Sequence, residues 1–471
     1  MSVRPLPTST PSAEGVDATG VHALLDALEA APDIEPHSLM VLRHGKVVAC
    51  GWWAPYTADR LHLLYSLSKS FTATAAAFAV AEGLLRLDDT VISYFPEFDA
   101  DITDPRSRAM LVRHVTTMAS GHEAETHDRA LAADREEPVR GFLLLPPDRD
   151  PGTVFAYNQP TTYTLAAIVQ RVTGQSLTDY LRPRLFDPLG IGDVAWVADR
   201  TGRQLGFSGL HATTDAIARL GQLYLRGGVW EGERLLPEGW VEEATRPHIR
   251  NSDEGGWADW RQGYGFQFWM SRHGYRGDGA YGQYCLVLPE QDAVVAFTGD
   301  TEQMQAVLDL VWEHLLPAFG AAPLSGREAA DTALAERMSR LALPPAAGKA
   351  ATLKETAVFT PYDGGCEGLP KLTAVEVDEE GRSLTLVEDG RRLELRFGEP
   401  GWTVTEGPVP AAVSGGWTDE DTLVLDVALL ETPHHVDLSC SLTDRTFTAK
   451  WRTQPLHSSR IRAMCAPRDS A

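Results

Sequence analysis

Hydrophobic positions in the first part of the chain follow two different periods. Between residues 20 and 30 they recur every three or four positions, and the same period returns in residues 214–225, so both segments are predicted to be amphipathic helices. Residues 38–49 read instead as two apolar strands around a turn at Gly45, which predicts a β-hairpin. An Ala-rich run within residues 66–85 predicts a longer, buried helix.

The middle of the chain changes from a helical to a strand-like pattern. Residues 90–210 are predicted to be mainly helical, with long loops. Residues 264–270, 284–288 and 293–298 are predicted to be neighbouring strands, and a helix at residues 306–316 follows them.

The last third of the chain alternates between apolar and polar positions. This pattern predicts six half-buried strands: residues 372–377, 383–387, 392–397, 422–427, 435–440 and 445–451. Their near-hairpin spacing indicates a small antiparallel barrel or sandwich.

Changes in composition divide the chain into domains. Pro- and Gly-containing stretches near residues 320 and 344 indicate linkers, and a length of 471 residues also favours two domains. We therefore predict a flexible N-terminus rich in Pro, Ser and Thr (1–14) and a first domain (15–320). A linker with a candidate helix (321–350) and a C-terminal β domain (351–471) complete the chain.

The composition and net charge exclude some classes of binding partner for this protein. Hydrophobic residues make up 43% of the chain, as in a globular protein. The formal net charge of −23 argues against nucleic acid or an anionic membrane as a partner. The sequence has no run of 18 apolar residues and no apolar leader at its start, so we expect no membrane span and a cytoplasmic location.

The cysteines give no sign of a metal site. Cys50, Cys285, Cys366, Cys440 and Cys465 are widely scattered, with neither C-x-x-C nor zinc-ligand spacing. We expect them to be free thiols, as in a reducing compartment, although the sequence does not exclude a disulfide between two of them. No cofactor and no metal are predicted.

One local motif carries candidate chemistry. Ser66 and Lys69 are three residues apart at the start of the predicted buried helix, so their side chains lie on nearly the same face. A serine hydroxyl is a weak nucleophile unless a neighbouring base takes its proton, and burial can lower the pKa of a lysine enough to make it that base. The alternative is a non-catalytic role, in which Ser66 caps the helix and Lys69 is an ordinary surface lysine.

Four segments in order resemble the serine β-lactamase and penicillin-binding-protein superfamily, especially its class C-like "β-lactamase-related" hydrolases. They are Y-S-L-S-K-S-F at 65–71 with E-G-L-L-R-L-D-D at 82–89, R-H-V-T-T-M-A-S-G at 113–121, P-G-T-V-F-A-Y-N-Q at 151–159, and G-D-G-A at 277–280. The resemblance implies an α+β fold over roughly residues 15–315, with an antiparallel sheet flanked by helices and an all-helical subdomain. Similar hydrolases often carry a lipocalin-like C-terminal domain.

The resemblance also implies roles in the site. Ser66 would be the nucleophile, Lys69 the base for acylation, and Tyr157 a relay that passes a proton to the leaving group. The second polar residue of the family's Tyr-x-Asn element is Gln159 here, while Asn158 fills the middle position. Both amides are candidate substrate-binding residues.

The fourth segment departs from the family pattern. Gly277 stands where the family has Lys or His, and Asp278 replaces the middle hydroxyl residue. Gly279 and Ala280 keep the small residues that let the strand backbone approach a substrate, and the N–H groups of Ala280 and Ser66 are assigned to the oxyanion hole. Because Asp278 would repel a substrate carboxylate, we expect a neutral or amine-bearing ester or amide.

His122 follows the second segment, on the loop expected over the site, and is a further candidate substrate-binding residue. Glu123, Glu125, His127 and Asp128 cluster nearby without the spacing of a metal motif.

Together these observations predict a serine hydrolase that cleaves a small-molecule or peptide-like ester or amide through an acyl-enzyme. An acyltransferase or peptide cyclase using the same acyl-enzyme is one alternative, and a non-catalytic ligand-binding relative is another. A homodimer is compatible with the predicted C-terminal domain.

Overall fold

Two sheets organise the chain, as described by a computed structural model that covers residues 4–251, 256–349, 353–398 and 401–468. The strands are β1 (Glu35–Arg43), β2 (Lys46–Trp52), β3 (His62–Leu63), β4 (Ala195–Trp196), β5 (Leu210–Ala212), β6 (Val229–Trp230), β7 (Glu233–Arg234), β8 (Trp269–Met270), β9 (Tyr275–Gly279), β10 (Gln283–Leu288), β11 (Ala293–Asp300), β12 (Ala357–Pro361), β13 (Leu372–Val377), β14 (Ser383–Glu388), β15 (Arg391–Arg396), β16 (Thr403–Thr405), β17 (Ala411–Trp417), β18 (Thr422–Leu429), β19 (His435–Ser441) and β20 (Thr446–Trp451). The α-helices are α1 (Ala18–Ala30), α2 (Ser68–Ala81), α3 (Pro105–Ala109), α4 (Val112–Thr116), α5 (His127–Ala133), α6 (Pro138–Leu143), α7 (Gln159–Thr173), α8 (Leu177–Leu181), α9 (Asp187–Leu189), α10 (Thr214–Leu225), α11 (Trp240–Ala244), α12 (Met304–Leu310) and α13 (Glu328–Met338).

The first sheet is antiparallel, in the order β2-β1-β11-β10-β9-β8. Successive side chains of a strand point to opposite faces, so Leu39 and Val41 of β1 pack in the cluster that contains α1. Met40 and Leu42 pack in the cluster that contains α2 and α10. The sheet is therefore covered by helices on both faces, which explains why its central strands are apolar throughout.

A helical region, α2 to α9, is inserted between β1–β3 and the later strands of the sheet. Helix α2 is buried along nearly its whole length and packs against α7. Small residues such as Ala73, Ala76 and Ala77 allow this close packing. The result is the predicted α+β fold, with a helical subdomain beside an antiparallel sheet.

The second sheet has the order β15-β14-β13-β12-β20-β19-β18-β17-β16. Its two end strands approach each other, where the Arg396 N–H donates to Thr405 Oγ1 at 2.8 Å. The sheet is thus nearly closed around its own apolar cluster, as a barrel-like β unit. All six strands predicted in this region are present, and β12, β16 and β17 are additional.

Some local predictions were wrong. The predicted strand at 264–270 is limited to β8, because Gln267 has a left-handed φ of 60° that breaks extended backbone. The predicted helix at 66–85 begins with a 3₁₀ turn (Tyr65–Leu67) and ends at Ala81. From residue 4, the N-terminal segment is not a loose arm, since Ser12 N–H donates to Asp331 of α13; residues 1–3 lie outside the described part of the chain.

Two further observations concern cysteines and membranes. All five cysteines are free thiols in the structure. None of the helices in the described part of the chain combines the length and apolar character that a bilayer span requires.

Candidate active site

Ser66 lies in a tight turn between β3 and α2. The turn is sharp because Tyr65, the residue before it, adopts a left-handed φ of 45°, a conformation that costs energy for a non-glycine residue. Strand β9 passes directly beside this turn. A Cβ on Gly279 would lie 2.1 Å from the carbonyl oxygen of Leu64, and one on Gly277 would lie 2.5 Å from Ser70 Oγ. Gly279 is therefore required for this close approach, whereas a Cβ on Gly277 would meet only the side-chain ends of Leu67 and Ser70.

Lys69 is buried one helical turn after Ser66, with 1% of its surface exposed. Its Nζ donates to Ser66 Oγ at 2.9 Å, to Gln159 Oε1 at 2.7 Å and to the carbonyl oxygen of Phe207 at 2.7 Å. Burial lowers the pKa of Lys69 to about 7, against the opposing effect of nearby Glu125. A neutral amine could keep two of these bonds as a donor and accept the Ser66 proton with its lone pair.

Tyr157 faces the same two residues. Ser66 influences the pKa of its phenol, and Lys69 Nζ lies 4.8 Å from the centre of its ring. The ring stacks on Trp269, with 5.2 Å between centroids. Burial raises the pKa of Tyr157 well above its usual value, so the phenol is protonated at neutral pH.

The two neighbouring amides have different positions. Gln159 begins α7 and accepts from Lys69, so it contributes to the polar centre of the site. Asn158 is fully buried, and its Oδ1 accepts from the N–H of Thr126 at 3.0 Å and from Thr126 Oγ1 at 2.9 Å. Asn158 thus holds the loop before α5.

Asp278 is neutralised by a partner on its own strand. Arg276 Nε lies 2.9 Å from Asp278 Oδ2, and both side chains are buried. The guanidinium of Arg276 is 4.1 Å from the ring centre of Trp260 and also donates to the carbonyl oxygen of Asp259 at 2.9 Å. Burial raises the pKa of Asp278 despite this ion pair. Nε and Nη1 of Arg276 are therefore bonded within the protein, whereas the buried Nη2 has no hydrogen-bond partner among the described residues.

His122 and Ala280 complete the predicted set. His122 is buried, and among the described residues its ring nitrogens bond to Ser120 Oγ at 3.0 Å and to the carbonyl oxygen of Leu145 at 3.1 Å. These bonds hold it away from the centre formed by Ser66 and Lys69. Ala280 is half-buried in the turn after β9 and packs against Leu63 and Tyr65.

Glu125 was noted in the sequence only as part of a polar cluster. Its carboxylate accepts from the N–H groups of Thr126 and His127 at 2.9 Å each, and from the Gln159 N–H at 3.1 Å. It is exposed and acts electrostatically on Lys69 and Tyr157. The wall of the site thus carries an exposed negative charge.

The C-terminal β unit also reaches the site, which the sequence reasoning missed. His434 bonds to the hydroxyl of Tyr65, and the carbonyl oxygen of Gln454 accepts from Tyr281. His457 Nε2 lies 2.7 Å from Ser208 Oγ. No motif signals these contacts, because they join residues more than 170 positions apart.

Sequence and structure comparisons relate this chain to known proteins. The sequence model of the Beta-lactamase family matches residues 21–316. The 6-aminohexanoate-dimer hydrolase of Paenarthrobacter ureafaciens is 30% identical over 298 residues, covering 58% of this chain and 76% of that protein. Esterase EstB of Burkholderia gladioli is 28% identical over 215 residues, covering 40% of this chain and 55% of that protein.

Among solved structures, a putative β-lactamase from Bacteroides dorei has a similar fold. The TM-score is 0.53 at 16% identity, covering 64% of this chain and 99% of the other. The match to the family model ends before the C-terminal β unit begins.

Proposed function

Since the chain belongs to the Beta-lactamase family, whose members are serine hydrolases that include esterases, amidases and β-lactamases, we propose that it cleaves an ester or amide through an acyl-enzyme on Ser66. The observation that carries this proposal is the 2.9 Å contact between Lys69 Nζ and Ser66 Oγ. It is supported by the lowered pKa of Lys69, about 7, which leaves a large fraction of the amine neutral at physiological pH.

Acylation begins when neutral Lys69 takes the Ser66 proton and Ser66 Oγ attacks the substrate carbonyl carbon. The N–H groups of Ser66 and Ala280 stabilise the resulting oxyanion. Tyr157 donates its phenol proton to the leaving oxygen or nitrogen and is reprotonated by Lys69. The bond to the leaving group then breaks, and an ester on Ser66 remains.

Deacylation repeats these transfers with water. A water molecule attacks the ester and loses a proton to the Lys69–Tyr157 pair, and Ser66 recovers its own proton as the carboxylic acid product departs. Protonated Tyr157 is suited to this relay because its ring lies against Lys69 Nζ and its pKa responds to Ser66.

The charges around the site favour a substrate without a carboxylate near the scissile bond. The charge of Arg276 is offset by its buried ion pair with Asp278, which weakens its attraction for a substrate carboxylate. Glu125 adds an exposed negative charge on the opposite wall. We therefore assign a neutral or amine-bearing ester or amide as the substrate class.

The test is covalent labelling followed by intact-protein mass spectrometry. Wild type, Ser66→Ala and Ser70→Ala are exposed to a fluorophosphonate. One adduct on wild type and on Ser70→Ala, with none on Ser66→Ala, is the expected result. Ser70 is a matched control because it is a serine four residues after Ser66, in the first turn of α2, and its hydroxyl bonds to the carbonyl oxygen of Gln267. Equal labelling of all three proteins, or none of a folded wild type, would reject Ser66 as the nucleophile.

A further inference from the structure

A second polar cluster lies where the two sheets meet, and it contains none of the residues proposed for the chemistry at Ser66. Glu35 and His37 come from β1, and His435 begins β19 of the C-terminal unit. The register of β1 against β11 shifts between Pro36 and Ser38. Such β-bulges re-aim side chains and are frequent beside functional sites.

Three potential ligand atoms converge in this cluster. Glu35 Oε1 lies 2.9 Å from His435 Nε2 and 3.1 Å from His37 Nε2, and the three atoms all lie within 4.8 Å of one another. Both histidines are fully buried. Zinc–ligand bonds of about 2.0–2.2 Å place tetrahedral ligand atoms roughly 3.3 Å apart, so small outward shifts would accommodate an ion.

The hydrogen bonds around the rings determine where their protons lie. His62 Nδ1 faces the carbonyl oxygen of Leu63 at 3.1 Å and therefore carries a proton, which leaves His62 Nε2 to accept from His37 Nδ1 at 3.1 Å. In neutral His37 the remaining Nε2 has only a lone pair, yet it points at a carboxylate oxygen. A cation between these two atoms would give both of them a partner.

His435 approaches the same carboxylate oxygen from the C-terminal unit. Its Nδ1 lies 2.7 Å from Asp426 Oδ1, which fixes a proton on Nδ1 and directs Nε2 toward Glu35. We propose that Glu35, His37 and His435 bind one divalent transition-metal ion, with Zn²⁺ the best match to two imidazoles and a carboxylate. A water molecule would fill the fourth position of the ion.

The surroundings resemble those that support bound metals. Metal-ligating histidines usually donate their other N–H to an acceptor, and ligating carboxylates are themselves hydrogen-bonded. Asp426 and His62 accept from the two histidines, and Arg452 Nη1 lies 2.8 Å from Glu35 Oε2.

The charge of the cluster also favours a cation. Asp300 lies directly opposite Glu35 in the β1–β11 register, and like charges in that position are destabilising. Asp300 is 4% exposed, and among the described residues none donates to its Oδ2. Asp426 and Asp437 add further carboxylates, both of which pair with the guanidinium of Arg452. A cavity of about 540 Å³ lined by Glu35, Asp300 and Arg452 provides an entry path.

The ion would clamp the C-terminal unit to the hydrolase sheet. Its ligands join β1 to β19, and His62 links it to Leu63, whose N–H donates to the carbonyl oxygen of Glu431 at 2.8 Å. Leu63 is three residues before Ser66. The ion therefore has a structural role at the base of the proposed active site, and it does not depend on the mechanism proposed there.

The experiment measures metal content and stability of the full chain. The protein is stripped with a chelator, incubated with Zn²⁺, freed of unbound ion by gel filtration, and analysed by mass spectrometry for zinc. We expect one zinc per chain and a higher Tm than for the stripped protein, since binding to the native state alone raises stability. Co²⁺ in place of Zn²⁺ should give visible absorption bands of a low-symmetry, four-coordinate site.

Variants assign the ion to the cluster. His435→Gln and Glu35→Gln should lose the zinc, whereas His248→Gln should keep it. His248 is a suitable control because it stacks on Phe266 and bonds to the carbonyl oxygen of Glu243, outside the cluster. Wild type without stoichiometric zinc, or zinc retained by folded His435→Gln, would overturn the proposal. If the variants fail to fold, anomalous scattering from zinc-soaked wild-type crystals decides the position of the ion.

Discussion

Tyr65, the residue immediately before Ser66, bonds through its hydroxyl to His434 of the C-terminal β unit. His434 Nδ1 lies 2.9 Å from Thr453 Oγ1, which itself donates to Asp300 Oδ1 at 2.8 Å. Thr453 Oγ1 therefore accepts from His434 Nδ1, and His434 Nε2 accepts from Tyr65. This series of hydrogen bonds supports the strained turn of Ser66. Two of its members, His434 and Thr453, lie outside the region matched by the family model.

Removing this support should slow catalysis. We expect His434→Ala to reduce kcat about tenfold, because losing a buried hydrogen bond costs about 1–3 kcal/mol and leaves the turn less well fixed. KM for a small p-nitrophenyl ester should change little, since His434 lies behind the turn. Steady-state kinetics of His434→Ala and Tyr65→Phe measure this, and an unchanged kcat in both would show that the turn holds its geometry alone.

The rate should depend on pH through Lys69. The proposed base acts in its neutral form, and its pKa is lowered to about 7 by burial. Below that pH the amine is protonated and inactive, so kcat/KM should rise with pH and level off above about 8. A pH–rate profile with an ester substrate measures this. A rate that is flat from pH 5 to 9 would exclude Lys69 as the base.

Gln159 should influence the pH at which kcat/KM rises. Its Oε1 accepts from Lys69 at 2.7 Å, so Gln159→Glu would place a negative charge beside the amine. An opposite charge at this distance favours the protonated form and raises a lysine pKa by about 1–3 units. The acidic limb of the pH–rate profile should move to higher pH by at least about one unit. Gln159→Met, which adds no charge, is the control and should not shift the limb upward.

The sequence predicted the parts of this site that depend on local spacing. Ser66 and Lys69 are one helical turn apart, so their contact follows from the period of α2. Tyr157 lies about 90 positions away, and only its resemblance to a family motif indicated its role. The contacts of His434 and His457 could not be predicted, because nothing in a single sequence reports which distant residues meet.

The same distinction applies to the fold. Strongly periodic segments such as α10 and the β13–β15 strands were predicted almost to the residue. The failure at residues 264–270 has a non-local cause: Gln267 leaves the extended region, and its side chain donates to the carbonyl oxygen of Thr116 at 2.7 Å. Strand β17 was missed because Gly415 and Gly416 interrupt its apolar alternation.

Gly279 should tolerate no side chain. A Cβ there would lie 2.1 Å from the carbonyl oxygen of Leu64, an atom of the backbone that leads into the Ser66 turn and cannot move independently of it. Gly279→Ala must therefore separate β9 from that turn, which moves the Ala280 N–H away from its proposed place beside the Ser66 N–H. We expect kcat/KM to fall by at least about 100-fold, as for loss of one oxyanion-hole donor, and stability to fall by about 1–3 kcal/mol, as for overpacking.

Gly320→Ala provides the control. The atom nearest to its added Cβ would be the carbonyl oxygen of Gly15, at 3.2 Å, and both glycines are distant from Ser66 in sequence. Kinetics and thermal unfolding of both variants separate the two effects, because a purely structural loss would lower Tm and leave the activity of the folded fraction intact. If folded Gly279→Ala keeps wild-type kcat/KM, β9 does not supply the second oxyanion donor, and that donor must be sought elsewhere around Ser66.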